Sequence, residues 1–599
     1  MKKVLSLVLA LIFIMSCLAT LSSCGFFETD EPATPTPPVT EDPATPDAPQ
    51  EDPEDEIDII KNGVSMFTIV YPDVCSVDLT EKVSSLQKAI KNATGVEVKS
   101  IQASKATNSG ARYILLGSTG FEESFTVTDA LATNVDAFNI TEQGKHIVFA
   151  AHFENTLLTA IDYYINNLIK KNYDADTKTL IFDGRSRSGS EPINTTFDMS
   201  NIAKYTIVYS TELSGYYDIA ISIRDHIASL TGVSLKVRKS SAVIDSPYEI
   251  LVGRTNRYVS MKSYKNGTPL MEYKVTVDKG CLQLVCGGLY SAKAGVASLC
   301  ETLLKNGSST IKAGTPLAGS LVQEKVALTE GTDIRVMTAN ILAQTSSSID
   351  EGFPISAERS EIFARILVDY TPDFIGVQEA DANYATTMAY YFDIIKETYG
   401  MEYSSTDTTL NGTPVANYII YRSDKYTMNY QKAELPSYAN TSASLYHSVL
   451  SSAMFTSKTN SSLKIGILSA HWHWEQESAV VGVAKQKVDA DQMAAEYKAL
   501  QAKYPTAKIF CTGDFNSHRF KNKYFNEFLA AINGAVASTI ADKNGVLTPS
   551  FQHYTPKQYI DHIISTSGTF DVLKHAGTNN HSNKLTDHQP VYADIKFTK

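Results

Sequence analysis

Residues 66–74, MFTIVYPDV, return as KYTIVYSTE at 204–212. LQKAIKNATGVEVK (86–99) returns as IRDHIASLTGVSLK (223–236), and RYILLGST (112–119) as YEILVGRT (248–255). The offset of these three stays between 136 and 138 residues, and a further match at an offset of 135 joins FNITEQGKHIVFAA (138–151) to YKVTVDKGCLQLVC (273–286). A fixed period of this length marks an internal duplication, so the middle of the chain must fold as two versions of one unit. Each copy reads strand, helix, strands and a closing helix. Val83, Leu86 and Ile90 share one helical face in the first copy, as do Ile219, Ile223, Ile227 and Leu230 in the second. Gly95 and Gly232 stand where a helix C-cap favours glycine. The strand ends carry Tyr, Gly and Thr rather than acids or histidines, so no catalytic residue is read in either copy.

The pattern TIVY…TGV…ILLG resembles the α/β accessory domain found ahead of the catalytic barrels of some glycoside hydrolases, such as hexosaminidases and α-glucuronidases. That resemblance implies either scaffolding or contact with cell-surface carbohydrate. The units are placed at 57–197 and 198–328.

Ahead of them, MKKVLSLVLALIFIMSCLATLSSCG has the basic start, apolar run and small residues of a signal peptide. Leu21-Ser22-Ser23-Cys24 resembles the lipobox of bacterial lipoproteins. It implies a lipoprotein signal over 1–24 with cleavage before Cys24, lipid on the Cys24 sulfur, and an anchored protein on the extracellular side of a bacterial membrane. Residues 25–56 then read as a disordered tether. The segment 26–56 holds eight of the 21 prolines and eleven acids with no Lys or Arg, too little apolar surface to fold. Without those acids and the two lysines of the leader, the formal charge of −12 falls to −3. The acidity belongs to the tether and neither supports nor excludes a polyanionic substrate. Five cysteines remain beyond the leader, an odd set without C-x-x-C spacing, which gives no zinc site and no disulfide framework. An exported location would permit a Cys286–Cys300 bridge, which nothing else in the sequence supports.

From 329 to 599 the texture changes. Nine of the twelve histidines and both tryptophans lie in 332–599. Apolar strands there repeatedly end in functional groups. IRVMTAN ends at Asn340, DFIGVQE at Glu379, LKIGILSAHWH at His471 and His473, and KIFCTGDFN at Asp514 and Asn516. YIDHII holds Asp561, and KLTDHQPVYADI offers Asp587 and His588. One such strand end is a turn; six imply convergence at one edge of packed sheets, where a metal and a phosphate can be held.

The ordered set TANILAQ, PDFIGVQEAD, LSAHWHW, TGDFNS, QYIDHII and TDHQPV resembles the endonuclease/exonuclease/phosphatase superfamily. The resemblance implies an α/β fold, a four-layer sandwich of two mixed sheets with Mg²⁺ or Mn²⁺ at one end, preceded by the two tandem α/β repeats. It assigns Glu379, Asn340 and Asp587 to the metal. Asp514 would position or deprotonate the attacking water, Asn516 would hold the phosphate, and His471 and His588 would contact phosphate oxygens or move protons, with Asp561 orienting His588. Trp474 and Asn417 are the candidate substrate contacts. Strand alternation sets Trp472 opposite His471 and puts Trp474 on the face of Trp472; either can be core, but Trp474 lies further out. Three positions depart from the family pattern: His473 stands where a carboxylate is usual, Thr586 where a serine is usual, and Gln344 where an acid sometimes supplies a second ligand.

These readings imply an exported Mg²⁺-dependent phosphoric ester hydrolase acting on a small or surface-borne phosphoester: a sugar phosphate, a phospholipid head group or a wall polymer. An extracellular nuclease is the alternative within the class, although no basic helix with interleaved aromatics tracks a nucleic-acid backbone. A binding or adhesion lipoprotein without activity is the alternative of another class. Retention of the whole set of functional residues favours the enzyme.

Overall fold

The computed structural model describes residues 56–598 apart from 108–109, 192–194, 241–245, 323–324, 411–412, 439–448, 475–478, 481–482, 518–521, 548–559 and 579–584. Cys24 and the proline-rich tether lie outside the described residues. No described helix is long and apolar enough to cross a membrane.

The two repeat regions carry six-stranded sheets of one strand order. In the first the order is Arg187–Ser190, Ala137–Gln143, His146–Ala151, Tyr113–Leu116, Thr68–Tyr71, Ser100–Gln102. In the second it is Gly314–Ser320, Glu272–Asp278, Cys281–Cys286, Glu249–Val252, Thr206–Tyr209, Lys236–Lys239. The last four strands of each run parallel, and a hairpin returns antiparallel. The helix Val77–Thr94 starts where Ser76 Oγ accepts from Leu79 N at 3.0 Å, buries Leu79, Val83, Leu86 and Ile90, and ends at Gly95 with φ 74°. Tyr216–Thr231 buries Ile219, Ile223 and Ile227 and ends at Gly232, also at φ 74°. Cys286 and Cys300 are both free thiols. Cys286 instead lies buried against the hydroxyls of Tyr216 and Tyr264, at 3.7 and 3.9 Å, so the Cys286–Cys300 bridge is not formed.

The C-terminal region is a sandwich of two six-stranded mixed sheets. One runs Tyr403–Ser405, Tyr418–Arg422, Phe374–Gln378, Ile334–Asn340, Val591–Phe597, Phe570–Gly577. The other runs Tyr426–Glu434, Leu450–Ser457, Lys464–His471, Lys508–Asp514, Asp561–Thr566, Gly534–Val536. Val336, Phe374, Ile419, Phe455, Ile467, Phe510 and Ile563 fill the space between the sheets. Helices Ser356–Tyr370 and Ala382–Tyr399 cover the first sheet, and Lys485–Lys503 and Lys523–Ile532 the second, which makes four layers.

The apolar core does not stop at the junction near residue 328. One cluster runs from Phe197, Ile223 and Leu289 of the second repeat into Ile362, Leu367, Tyr384 and Tyr391 of the sandwich helices. At its centre the buried Glu361 carboxylate accepts from Met271 N at 2.8 Å, Ser291 N at 2.9 Å and Ser291 Oγ at 2.7 Å. Arg335 closes the other side of the junction. Fully buried, it donates to Asp594 through Nε and Nη2 at 2.5 and 2.9 Å, and to the carbonyls of Val326 and Ala327 at 2.9 Å each.

Burial alone would push the Asp594 carboxyl up, but its hydrogen bonds from Arg335 and Thr329 hold it below the usual carboxylate range. The stabilisation is therefore complete above the unfolded-state value of about 3.9 and is lost as pH falls toward the lower folded-state value. Asp594→Asn leaves Arg335 buried without its counter-charge and is expected to cost about 3–5 kcal/mol at neutral pH. Urea unfolding of parent and variant between neutral pH and pH 3 checks both the loss and its convergence in acid.

Candidate active site

Topology brings the functional strand ends together. Ile334–Asn340 runs parallel to Phe374–Gln378 in one sheet, and Lys464–His471 parallel to Lys508–Asp514 in the other. All four finish at one edge of the sandwich. Two antiparallel strands begin at that edge: Asp561 pairs directly with Asp514, and Val591 with Thr338, which delivers the 586–590 segment beside Asn340.

A polar seam beneath this edge fixes one sheet on the other. Gln378 Nε2 donates to Ser469 Oγ at 2.9 Å, and Thr338 Oγ1 to Gln378 Oε1 at 3.2 Å. Gly376 lies over Thr512, and a Cβ at Gly376 would collide with the Thr512 hydroxyl and crowd that of Ser469. Thr512 Oγ1 is held by the Leu468 carbonyl at 2.8 Å and cannot turn away without losing that bond.

Above the seam the side chains converge. Asn340 Nδ2 donates to Glu379 Oε1 at 2.8 Å and to Asp514 Oδ2 at 3.1 Å. His471 Nε2 stands 3.5 Å from Asp514 Oδ2, and its Nδ1 3.8 Å from Glu379 Oε1. His588 Nε2 approaches Asp514 Oδ2 from another side at 3.6 Å, while its Nδ1 meets Asp561 Oδ2 at 2.9 Å. Asn516 Nδ2 lies 3.0 Å from His471 Nε2 and 2.8 Å from the Trp472 carbonyl. Glu379 and Asn516 hold left-handed φ values of 56° and 46°. Non-glycine residues in that region cost of order 1–3 kcal/mol each, and such strain collects at functional sites.

Two sets of three donors lie within metal-binding reach, with atoms within 4.8 Å of one another: Glu379, His471 and Asp514, and Asp514, Asp561 and His588. Burial alone would lower the His588 pKa, but the carboxylates of Asp561 and Asp514 reverse this and hold it well above the ordinary histidine value. Burial likewise opposes ionisation of Glu379, and His471, the Asn340 amide and His588 outweigh it, keeping Glu379 ionised below the usual range. Asp587 falls in neither donor set; its Oδ1 accepts from Thr586 Oγ1 at 3.3 Å, and burial raises its pKa against the pull of His588.

The two candidate substrate contacts diverge. Trp474 is 70% exposed and stacks on His473 with ring centroids 6.2 Å apart. Asn417 departs from its expected role: it is fully buried, and its amide donates to the Val449 carbonyl at 2.7 Å, which leaves no surface for a substrate. Trp472 is core, packed edge-on against Phe515, Phe525 and Phe528. Because the strand ends at His471, alternation does not extend to Trp474. The expectation that the two tryptophans share a face rested on a longer strand.

Three supporting residues lie outside the strand-end motifs. Arg359, buried on Ser356–Tyr370, donates from Nη1 to the carbonyls of Ile341, Leu342 and Leu585 at 2.6, 2.7 and 2.9 Å, and so ties the Asn340 and His588 segments together. Asp489 accepts from Tyr438 Oη at 2.6 Å and His473 N at 2.9 Å, and burial pushes its carboxyl up to about 7. Gln486 Nε2 holds the His473 carbonyl at 2.7 Å. Helical spacing was the available signal for Asp489, which shares a face with Met493, Tyr497 and Leu500.

No family model matches the chain, and no curated protein does. Solved structures do match. The mannosyl-6-phosphatase of Bacteroides thetaiotaomicron VPI-5482 is 15% identical with a TM-score of 0.35, covering 44% of this chain and 100% of that one. An endonuclease/exonuclease/phosphatase from Bacteroides vulgatus is 17% identical with a TM-score of 0.36, covering 45% and 100%. The human Nocturnin catalytic domain with bound sulfate is 16% identical with a TM-score of 0.35, covering 45% and 97%.

Gly376→Ala is expected to force the sheets apart at the seam, costing about 1–3 kcal/mol of stability. Urea unfolding of parent and variant measures the loss.

Proposed function

We propose that the protein is an exported, lipid-anchored hydrolase of phosphoesters, acting on a small or surface-borne phosphomonoester or phosphodiester such as a sugar phosphate, a phospholipid head group or a wall polymer. The observation that carries this reading is the convergence of Glu379, Asp514, Asp561, His471 and His588 from two sheets onto one edge. Asp514 and Asp561 are direct cross-strand partners, an arrangement that like charges oppose. The oxygen-rich donor sets fit a hard divalent cation such as Mg²⁺ or Mn²⁺, and the half-buried Glu379 carboxylate, ionised and lacking a Lys or Arg partner among the described residues, fits it best.

Glu379 would hold the ion, with Asn340 fixing its carboxylate and Asp587 nearby. When bound, the ion neutralises charge on the phosphoryl oxygens. Asp514 positions the attacking water and takes its proton as the new O–P bond forms and the ester P–O bond breaks. His588, kept cationic by Asp561 and Asp514, faces the phosphoryl group and stabilises the departing oxygen. His471 and Asn516 present a ring and an amide to the remaining phosphoryl oxygens. Export and anchoring rest on the leader and Cys24. Trp474 offers an indole face beside this edge, suited to stacking on a sugar or base.

Asp514→Asn is expected to lower kcat by ~10²–10⁴ while leaving thermal unfolding near that of the parent. EDTA should abolish turnover, and Mg²⁺ or Mn²⁺ should restore it. Assays against a sugar phosphate, a phosphodiester, a phospholipid and DNA rank the substrates; full activity in excess EDTA, or a near-normal kcat in the variant, overturns the reading. Trp474→Ala is expected to raise KM several-fold with little change in kcat, the mark of lost uniform binding, and steady-state kinetics on the preferred substrate measure it.

A further inference from the structure

A second cavity, of about 310 Å³, opens where the first repeat region meets the second. One wall is residues 74–77, the turn that follows the strand Thr68–Tyr71 and starts the helix Val77–Thr94. The facing wall is built from the N-terminal ends of the strands Thr206–Tyr209, Lys236–Lys239 and Glu249–Val252. The position follows from topology. Thr68–Tyr71 lies between two parallel neighbours, Ser100–Gln102 and Tyr113–Leu116, so the chain crosses first to one side of it and then to the other. In open parallel sheets the crevice beyond the carboxyl ends of the strands, at such a reversal, is where ligands bind.

The charges in the cavity are unbalanced. Its two acids are engaged: Glu249 receives two hydrogen bonds from the buried Arg257, at 2.8 and 3.1 Å, and Glu154 accepts from Ser76 N at 3.2 Å. Lys204, Lys236 and Arg238 also line the cavity, and none of them has an ion-pair partner among the described residues. The helix start at Val77 adds partial positive charge on the same side. Tyr248 contributes an aromatic ring in a T-shaped pair with Tyr205, 5.4 Å between centroids, and Lys204 Nζ stands 5.3 Å from its centroid. Ser234, Ser246 and Thr206 bring hydroxyls. The volume falls at the small end of the range for ligand pockets, roughly 300–1,000 Å³.

We infer that this cavity binds an acidic sugar, its carboxylate or phosphate held by Lys236 and Arg238 and its ring laid against Tyr248. Cations without ion-pair partners among the described residues select an anion, the volume fits a single sugar unit, and an aromatic ring beside hydroxyl-bearing residues suits a hydroxylated ring more than an apolar body. The cavity and the edge that carries Asp514 share no residue.

Isothermal titration calorimetry on the purified protein in EDTA tests this with four probes: glucuronate, glucose 6-phosphate, glucose and inorganic phosphate. Glucuronate or glucose 6-phosphate is expected to bind, and the tighter of the two identifies the anion; glucose and phosphate alone should bind roughly tenfold more weakly or worse. The double variant Lys236→Ala/Arg238→Ala should weaken the acidic sugar by roughly tenfold or more, with thermal unfolding and hydrolysis of a soluble phosphoester unchanged. Asp514→Asn should bind it as tightly as the parent. Absence of binding by both acidic sugars, unaltered affinity in the double variant, loss of affinity in Asp514→Asn, or glucose or phosphate binding as tightly as the acids would each overturn the assignment.

Discussion

The site depends on how closely two sheets can approach at one point. Gly376 presents no side chain to Thr512, and nearby Gln378, held by Thr338 of its own sheet, donates to Ser469 of the other. Apolar sandwich packing alone tolerates some sliding, because dispersion is not directional. A buried amide paired with a hydroxyl does not tolerate it, since a shift leaves both groups unsatisfied in the interior. The seam therefore sets the offset between the strands ending at Asn340 and Gln378 and those ending at His471 and Asp514. The carboxylate–imidazole cluster follows from that offset.

Electrostatics does the rest. Asp514 and Asp561 face each other across a strand pair, with Glu379 held next to Asp514 through one amide, Asn340. His588 relieves part of the repulsion by touching both aspartates with its two ring nitrogens. The arrangement is costly in an empty site and favourable around a cation or a phosphoryl group flanked by one. Local strain points the same way: the backbone leaves the sheet in a left-handed turn at Glu379 and again at Asn516, aiming both side chains across the edge instead of along the strands.

The strand-end residues were legible because the signal was local: an apolar run, then an acid, amide or imidazole where the strand should stop. The helix faces and the two C-cap glycines were legible for the same reason. Arg359 was not, because its partner Leu585 is 226 residues away and nothing nearby in sequence marks an arginine that binds three carbonyls. Asn417 was expected to contact substrate, yet it is fully buried and donates to the Val449 carbonyl. The tryptophan pair shows where periodicity runs out. Trp472 N already bonds to the Asp514 carbonyl as the strand closes, so the chain turns, and Trp474 goes to solvent instead of following Trp472 into the core.

The cluster that joins residues 197–311 to the helices of 356–399 bears on the order in which the molecule can assemble. A chain that emerges N-terminus first completes the second repeat's sheet before those helices exist. Glu361 then meets a surface already offering Met271 N, Ser291 N and the Ser291 hydroxyl, three donors prearranged for one carboxylate. The earlier-made part acts as a template for the later one. Ala382–Tyr399, whose N-cap Asp381 comes two residues after Glu379, docks onto that template and sets Glu379 in place as a late event of folding.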